Sequence, residues 1–189
     1  MANLSKGTVR EAAAAVLSSG FSNRNRIDIS SQAHVARAIH EATQFIEVYS
    51  DSNVYYFFDI ATSKGDITAV ASDGGAGCTF TSASHGLSNG NIVVLRGFSD
   101  DNYNVMGTVA NSTANTFDIT PMTFGATDTG QWGQTSDTIS TANNIILLAN
   151  TPIVRRVPWA LETDTGDIIV VHFKQVSSSA SKYIRFVEL

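Results

Sequence analysis

Cysteine, proline and charge are all scarce in this chain. Its 189 residues include one cysteine, Cys78, and three prolines. A lone cysteine excludes an intrachain disulfide and any cysteine-rich zinc site, and Cys78 is expected to be a small buried residue. Charged residues make up 15% of the chain, against roughly 25% in typical soluble domains. Ser, Thr, Asn and Gly stand in for Lys and Glu on the expected surface. Such a surface suits a subunit that packs against copies of itself or a partner, and equally an ordinary β-protein with polar loops. A net charge of −5 argues against dedicated nucleic-acid binding, which needs a concentration of Lys and Arg. No run approaches the ~20 apolar residues of a membrane-spanning helix, and the N-terminus lacks a signal-peptide pattern. The expectation is a soluble protein made in a reducing cytoplasm, with neither nucleic acid nor membrane among its partners.

Motifs that carry chemistry are equally sparse. His34, His40, His85 and His172 show no metal-ligand spacing. Ser84-His85 lacks the third, orienting group of a catalytic triad, and a turn histidine is expected there. Asp100-Asp101-Asn102 is only a fragment of a calcium loop. Gly74, Gly75 and Gly77 follow no phosphate-loop pattern. The chain is therefore expected to be non-enzymatic, with no cofactor and no metal site.

What the sequence does hold is β-type periodicity around a distinctive centre. From Cys78 to Gly133, short β-type runs alternate with Gly, Asn, Ser and Asp clusters, the pattern of a small all-β module with its own turns. Both flanks read as antiparallel strands. His34 to Ile39 and Phe45 to Tyr49 alternate, and the continuous run Val54 to Phe58 suits a strand covered on both faces. Ile145-Ile146-Leu147-Leu148 reads as a buried run. Pro152 to Pro158 is bracketed by prolines and predicts an edge strand. Asp167 to Gln175 is the strongest single strand, and Lys182 to Leu189 alternates to the end.

The flanks together supply about eight or nine strands, enough for one antiparallel β-sandwich or jelly roll, and neither suffices alone. The expected organisation is an N-terminal helix or arm over 1–22, a discontinuous sandwich from 23–71 and 136–189, and an inserted small β-barrel over 72–135. The helix is predicted from Thr8 to Ser18, with Val9, Ala12, Ala13, Val16 and Leu17 on one stripe and Gly20 as its C-terminal cap. Val9, Val16 and Leu17 would dock on the sandwich or on a neighbouring subunit. Arg24, Arg26, Arg155 and Arg156 are the most concentrated cations. Adjacent strand residues point to opposite faces, so one of Arg155 and Arg156 is expected inward or in an interface, or both lie at the sheet edge. Trp132 and Trp159, each near a module boundary, are candidates to pack between the lobes.

Two family resemblances add to this reading. The stretch His85-Gly86-Leu87-Ser88-Asn89-Gly90-Asn91-Ile92-Val93 resembles a recurring His-Gly-Leu, Gly-Asp-x-Val motif, with Asn104 to Val109 and Asn115 to Ile119 as its continuation. This set is similar to the first catalytic cysteine half-domain of ubiquitin-activating enzymes, a small barrel reused in tailed-phage structural proteins. The resemblance implies a shape without chemistry, and Cys78 is not carried over as a nucleophile. Asn91 stands where the motif has Asp. The second resemblance lies in the flanks. Phe45 to Tyr55, through the turn Ser50-Asp51-Ser52-Asn53, and Leu148-Ala149-Asn150-Thr151-Pro152 resemble corners of small phage β-sandwich proteins. Together the resemblances imply a virion structural protein of a tailed phage, a capsid decoration or cement protein. Its partners would be the major capsid protein or other virion proteins, and its own copies as a homo-oligomer, with a trimer the first guess. A neck or tail adaptor and a carbohydrate-binding attachment module are the alternatives.

Overall fold

A computed structural model describes residues 26–28, 34–40, 43–136, 145–157, 167–176 and 183–188. The expected arm over 1–22, with its helix, lies outside the described residues. Within them the chain is all-β, with antiparallel sheets and one 3-10 turn at Asp101–Tyr103. Four strands come first: β1 (Arg26–Asp28), β2 (His34–Ala38), β3 (Phe45–Ser50) and β4 (Val54–Ile60). Seven follow: β5 (Ser63–Ile67), β6 (Ala69–Ser72), β7 (Cys78–Thr81), β8 (Ile92–Arg96), β9 (Met106–Ala110), β10 (Thr116–Ile119) and β11 (Gly130–Thr135). The last four are β12 (Ile145–Leu147), β13 (Ile153–Arg156), β14 (Ile169–Gln175) and β15 (Tyr183–Glu188).

The first and last groups interleave into two four-stranded sheets. One has the order β1-β15-β3-β13 and the other β12-β4-β14-β2. If these eight strands are counted along the chain, the orders become 1-8-3-6 and 5-4-7-2, the arrangement of a jelly roll. Alternation directs the packing: Ile46 and Val48 of β3 and Ile184 of β15 meet Val35, Val54, Tyr56, Val171 and Phe173 of the facing sheet. The two corners singled out by the second resemblance meet in space. The Asn53 side-chain oxygen accepts from the Ala149 amide at 2.8 Å, and the Asn150 amide donates to the Ser50 carbonyl at 2.8 Å.

The middle group forms a seven-stranded sheet of order β5-β11-β8-β9-β10-β7-β6, inserted between the fourth and fifth strands of the jelly roll. Its two ends are consecutive along the chain, separated by Thr68 alone, whose amide donates to the Thr81 carbonyl at 2.9 Å. The insert has its own core, in which Phe80, Phe117, Tyr103, Phe98 and Trp132 pack together. The motif turn depends on Asn91, whose side-chain oxygen accepts from the Ser88 amide at 2.8 Å. His85 is a turn histidine: its Nδ1 accepts from the Leu87 amide at 3.0 Å.

Three features differ from the sequence reading. Strands β5 and β6 pair with β11 and β7 of the insert, so the chain leaves the sandwich near Thr62, ahead of the boundary expected at 72. Trp132 packs inside the insert, with its indole N–H donating to Ser82 Oγ at 2.8 Å, and not between the lobes. The run at Ile145 is not buried. It forms an edge strand, so Ile145, Ile146 and Leu148 are 51%, 48% and 59% exposed, and Leu147 alone enters the core.

Candidate functional site

The insert is docked on the outer face of the sheet containing β4 and β14. That face is apolar because both strands are covered on two sides: Val171 and Phe173 point into the jelly roll, while Ile168 and Val170 point the other way. Against them, with Ala36, Ala38 and Ala61, lie Val94 of β8 and Met106 of β9. Gly133 of β11 sits so close that a Cβ there would lie 2.8 Å from the Ala61 methyl and 3.1 Å from Ile168 Cγ2. Polar ties frame this seam. Lys64 Nζ reaches Asp167 Oδ1 at 2.9 Å, and Arg96 Nη1 donates to the Ile39 carbonyl at 3.2 Å.

Within the seam two histidines are joined. His34 Nε2 and His172 Nδ1 are 2.9 Å apart, although 138 residues separate them in sequence. The other nitrogen of His172, Nε2, lies 3.2 Å from Thr135 Oγ1 of the insert. Phe57 stacks on the His172 ring with centroids 4.3 Å apart. His172 is completely buried. Burial first, and the neighbouring His34 second, push its pKa down to about 3. No local pattern marks this pair, because β2 and β14 become neighbours only through their register, which sets Lys174 opposite His34 and Ala36 opposite His172. Among the described residues, no three His, Cys, Asp or Glu side chains gather as metal ligands.

The second feature is the side of the sandwich where β12 and β13 form the edges of the two sheets. Here lie the exposed Ile145, Ile146 and Leu148 and two exposed arginines. Of the pair, Arg155 is the one turned inward: its Nε donates at 2.8 Å to the hydroxyl of Tyr56 on the facing sheet and ties the two edges together. Arg156 lies on the opposite face of β13, in register with Phe45. Arg26 is in β1 at the far edge of the same sheet, paired with Arg185, so the fold does not bring it to Arg155 and Arg156. Val9, Val16, Leu17, Arg24 and Trp159 lie outside the described residues.

Searches against protein-family models, curated proteins and solved structures found no match.

One buried acid stands apart from both features. Glu47 points away from the jelly-roll core between Val154 and Val187 of the adjoining strands. It is 1% exposed, and among the described residues neither carboxylate oxygen has a partner. Burial raises its pKa. A carboxyl with a raised folded-state pKa adds no penalty below its unfolded value near 4.5 and costs stability as pH rises through the folded value. Glu47→Met should therefore stabilise the protein by about 1–3 kcal/mol at pH 7 and by much less at pH 4. Urea unfolding at the two pH values checks this, and an equal change at both would mean that charge burial is not the cause.

Proposed function

We propose that this chain is a non-enzymatic virion structural protein of a tailed phage, most specifically a capsid decoration or cement protein. The observation that carries the reading is an eight-stranded jelly roll interrupted between its fourth and fifth strands by a self-paired β unit packed on one face. Jelly rolls recur in viral capsid and lectin domains, and the insert's turn motif resembles the barrel reused in phage structural proteins. We read the insert as that small closed barrel, since its sheet order begins and ends in consecutive strands. The jelly roll serves as the base and the insert projects from it. The apolar edge at Ile145, Ile146 and Leu148, flanked by Arg155 and Arg156, is the contact side toward copies of the chain or the shell.

The test is binding of the purified protein to phage capsids stripped of accessory proteins, read by sedimentation and particle imaging. The expected result is saturable binding with regular density over the shell, weakened in an Ile146→Lys, Leu148→Lys variant. Density at a single vertex would move the protein to the neck or tail. A protein that stays monomeric and ignores the capsids would overturn the reading, and a positive glycan array in that case would assign it to carbohydrate attachment.

A further inference from the structure

One face of the jelly roll has no described strand over it and yet is not open. The described strands stack in three layers: the insert, the sheet β12-β4-β14-β2 beneath it, and the sheet β1-β15-β3-β13 on the far side. Ile46 and Val48 of β3 enter the core, so Phe45, Glu47 and Tyr49 belong to the outer face of that last sheet. A glutamate there, opposite the shorter Val154 and Val187, ordinarily stands in water. Glu47 is instead 1% exposed, and Phe45, Tyr49 and Val154 are half-buried. We propose that the chain's own N-terminal segment, residues 1–25, docks across this outer face, with the stripe Val9, Ala12, Ala13, Val16 and Leu17 turned onto Phe45, Glu47, Tyr49 and Val154.

The place where the described chain begins selects the occupant. β1 opens at Arg26 in the edge of this same sheet, so the 25 residues before it are tethered beside the face at one end only. Every inner stretch outside the described residues is held at both ends, and the longest of them, 158–166, has nine residues. Residues 158–166 and 177–182 are further occupied in crossing from one sheet to the other. The burial of Glu47 is complete within one chain, so a second copy is not needed to produce it.

Lengths and chemistry both fit. From β1 to β3 is two strand spacings, about 10 Å, and the linker Ser19 to Asn25 reaches up to about 24 Å when extended. A helix over Thr8 to Ser18 would be about 16 Å long, close to the ~14 Å between the outer strands of a four-stranded sheet. So short a helix is marginal alone and needs a surface to bury its stripe. The small Ala12 and Ala13 let that stripe come close to the aromatic residues of β3, while Glu11 and Ala15 fall on the other side of the helix. Apolar cover over the Glu47 carboxyl also accounts for the cost of ionising it.

Disulfide trapping in the full chain tests this. Glu47→Cys combined with Ala13→Cys or Val16→Cys should oxidise to a bond within one chain, at least about ten-fold faster than the same change combined with Glu11→Cys or Ala15→Cys. The native Cys78 is buried in the insert and stays out of the exchange. Equal rates for the two sets, or a bond between two chains, would overturn the proposal, the latter by giving the face to a neighbour's segment. Hydroxyl-radical footprinting of the wild-type protein covers cysteine variants that do not fold. Oxidation of Phe45 and Tyr49 should rise several-fold in a full-length Val16→Asp, Leu17→Asp variant, while the exposed Phe124 and the buried Phe80 and Phe117 of the insert keep their wild-type rates. The proposal fails if Phe45 and Tyr49 are unchanged, or if they rise only together with Phe80 and Phe117.

Discussion

Trp132→Ala should lower the melting temperature of the insert by about 15 °C or more and leave the jelly-roll transition close to its wild-type value. The indole is the largest fully buried side chain among the described residues. It packs on the backbone of Gly65, where a Cβ would come within 2.8 Å of Nε1, and its N–H is held by Ser82. The residue beneath it is a glycine in a paired strand, with no side chain to move into the space an alanine would leave. Truncation of a buried aromatic costs about 3–5 kcal/mol, and the Ser82 hydroxyl loses its donor as well. Differential scanning calorimetry should resolve a low-temperature transition for the insert. A single transition lowered by less than about 1 kcal/mol would mean that the two cores are not separately stable units.

The next residue along β11 tests the opposite face of the same strand. Gly133→Val should weaken docking of the insert by about 3 kcal/mol without harming either core. A Cβ at that position lies 2.8 Å from the Ala61 methyl and within 3.2 Å of two carbons of Ile168, all on the sandwich side, and the valine methyls extend farther. The strain is specific enough for a double-mutant cycle. Ala61→Gly removes the nearest obstructing atom and should recover part of the loss, although it weakens the wild-type protein. Limited proteolysis near Thr62 and Ser136 reports undocking. If Gly133→Val lowers the insert's own transition as Trp132→Ala does, then Gly133 serves the insert's core and not the seam.

These two neighbours also mark how far the sequence could be read. Alternation in His34 to Ile39, Phe45 to Tyr49 and Lys182 to Leu189 was enough to recognise strands, and the prolines at 152 and 158 correctly marked β13 as an edge. The continuous apolar run at Val54 to Phe58 reflects cover on both faces, jelly roll on one and insert on the other. The same kind of run at Ile145 misleads, because local hydrophobicity does not say whether a strand has a neighbour on each side. Trp132 and Gly133 sit together in sequence, yet one belongs to the insert's core and the other to the seam. The period of two predicts opposite faces, but not what covers each. The His34–His172 pair was out of reach for the same reason: it exists only once β2 and β14 are in register.

The strand pairing also carries a consequence for synthesis. Among the described residues, every ladder of the jelly roll joins the segment before the insert to the segment after it: β1 with β15, β2 with β14, β3 with β13 and β15, and β4 with β12 and β14. The described strands of the insert pair with one another alone. On the ribosome, the first four strands therefore emerge with no native sheet neighbour available, and the insert is the first part able to complete its hydrogen bonding. Once folded, it brings Thr62 and Gln134 to within a 2.9 Å backbone bond and so shortens the loop that β4 and β12 must close, which lowers the entropic cost of closure. The insert thus acts in the order of folding as an internal clamp, which sets the two halves of the jelly roll side by side before either can recognise the other.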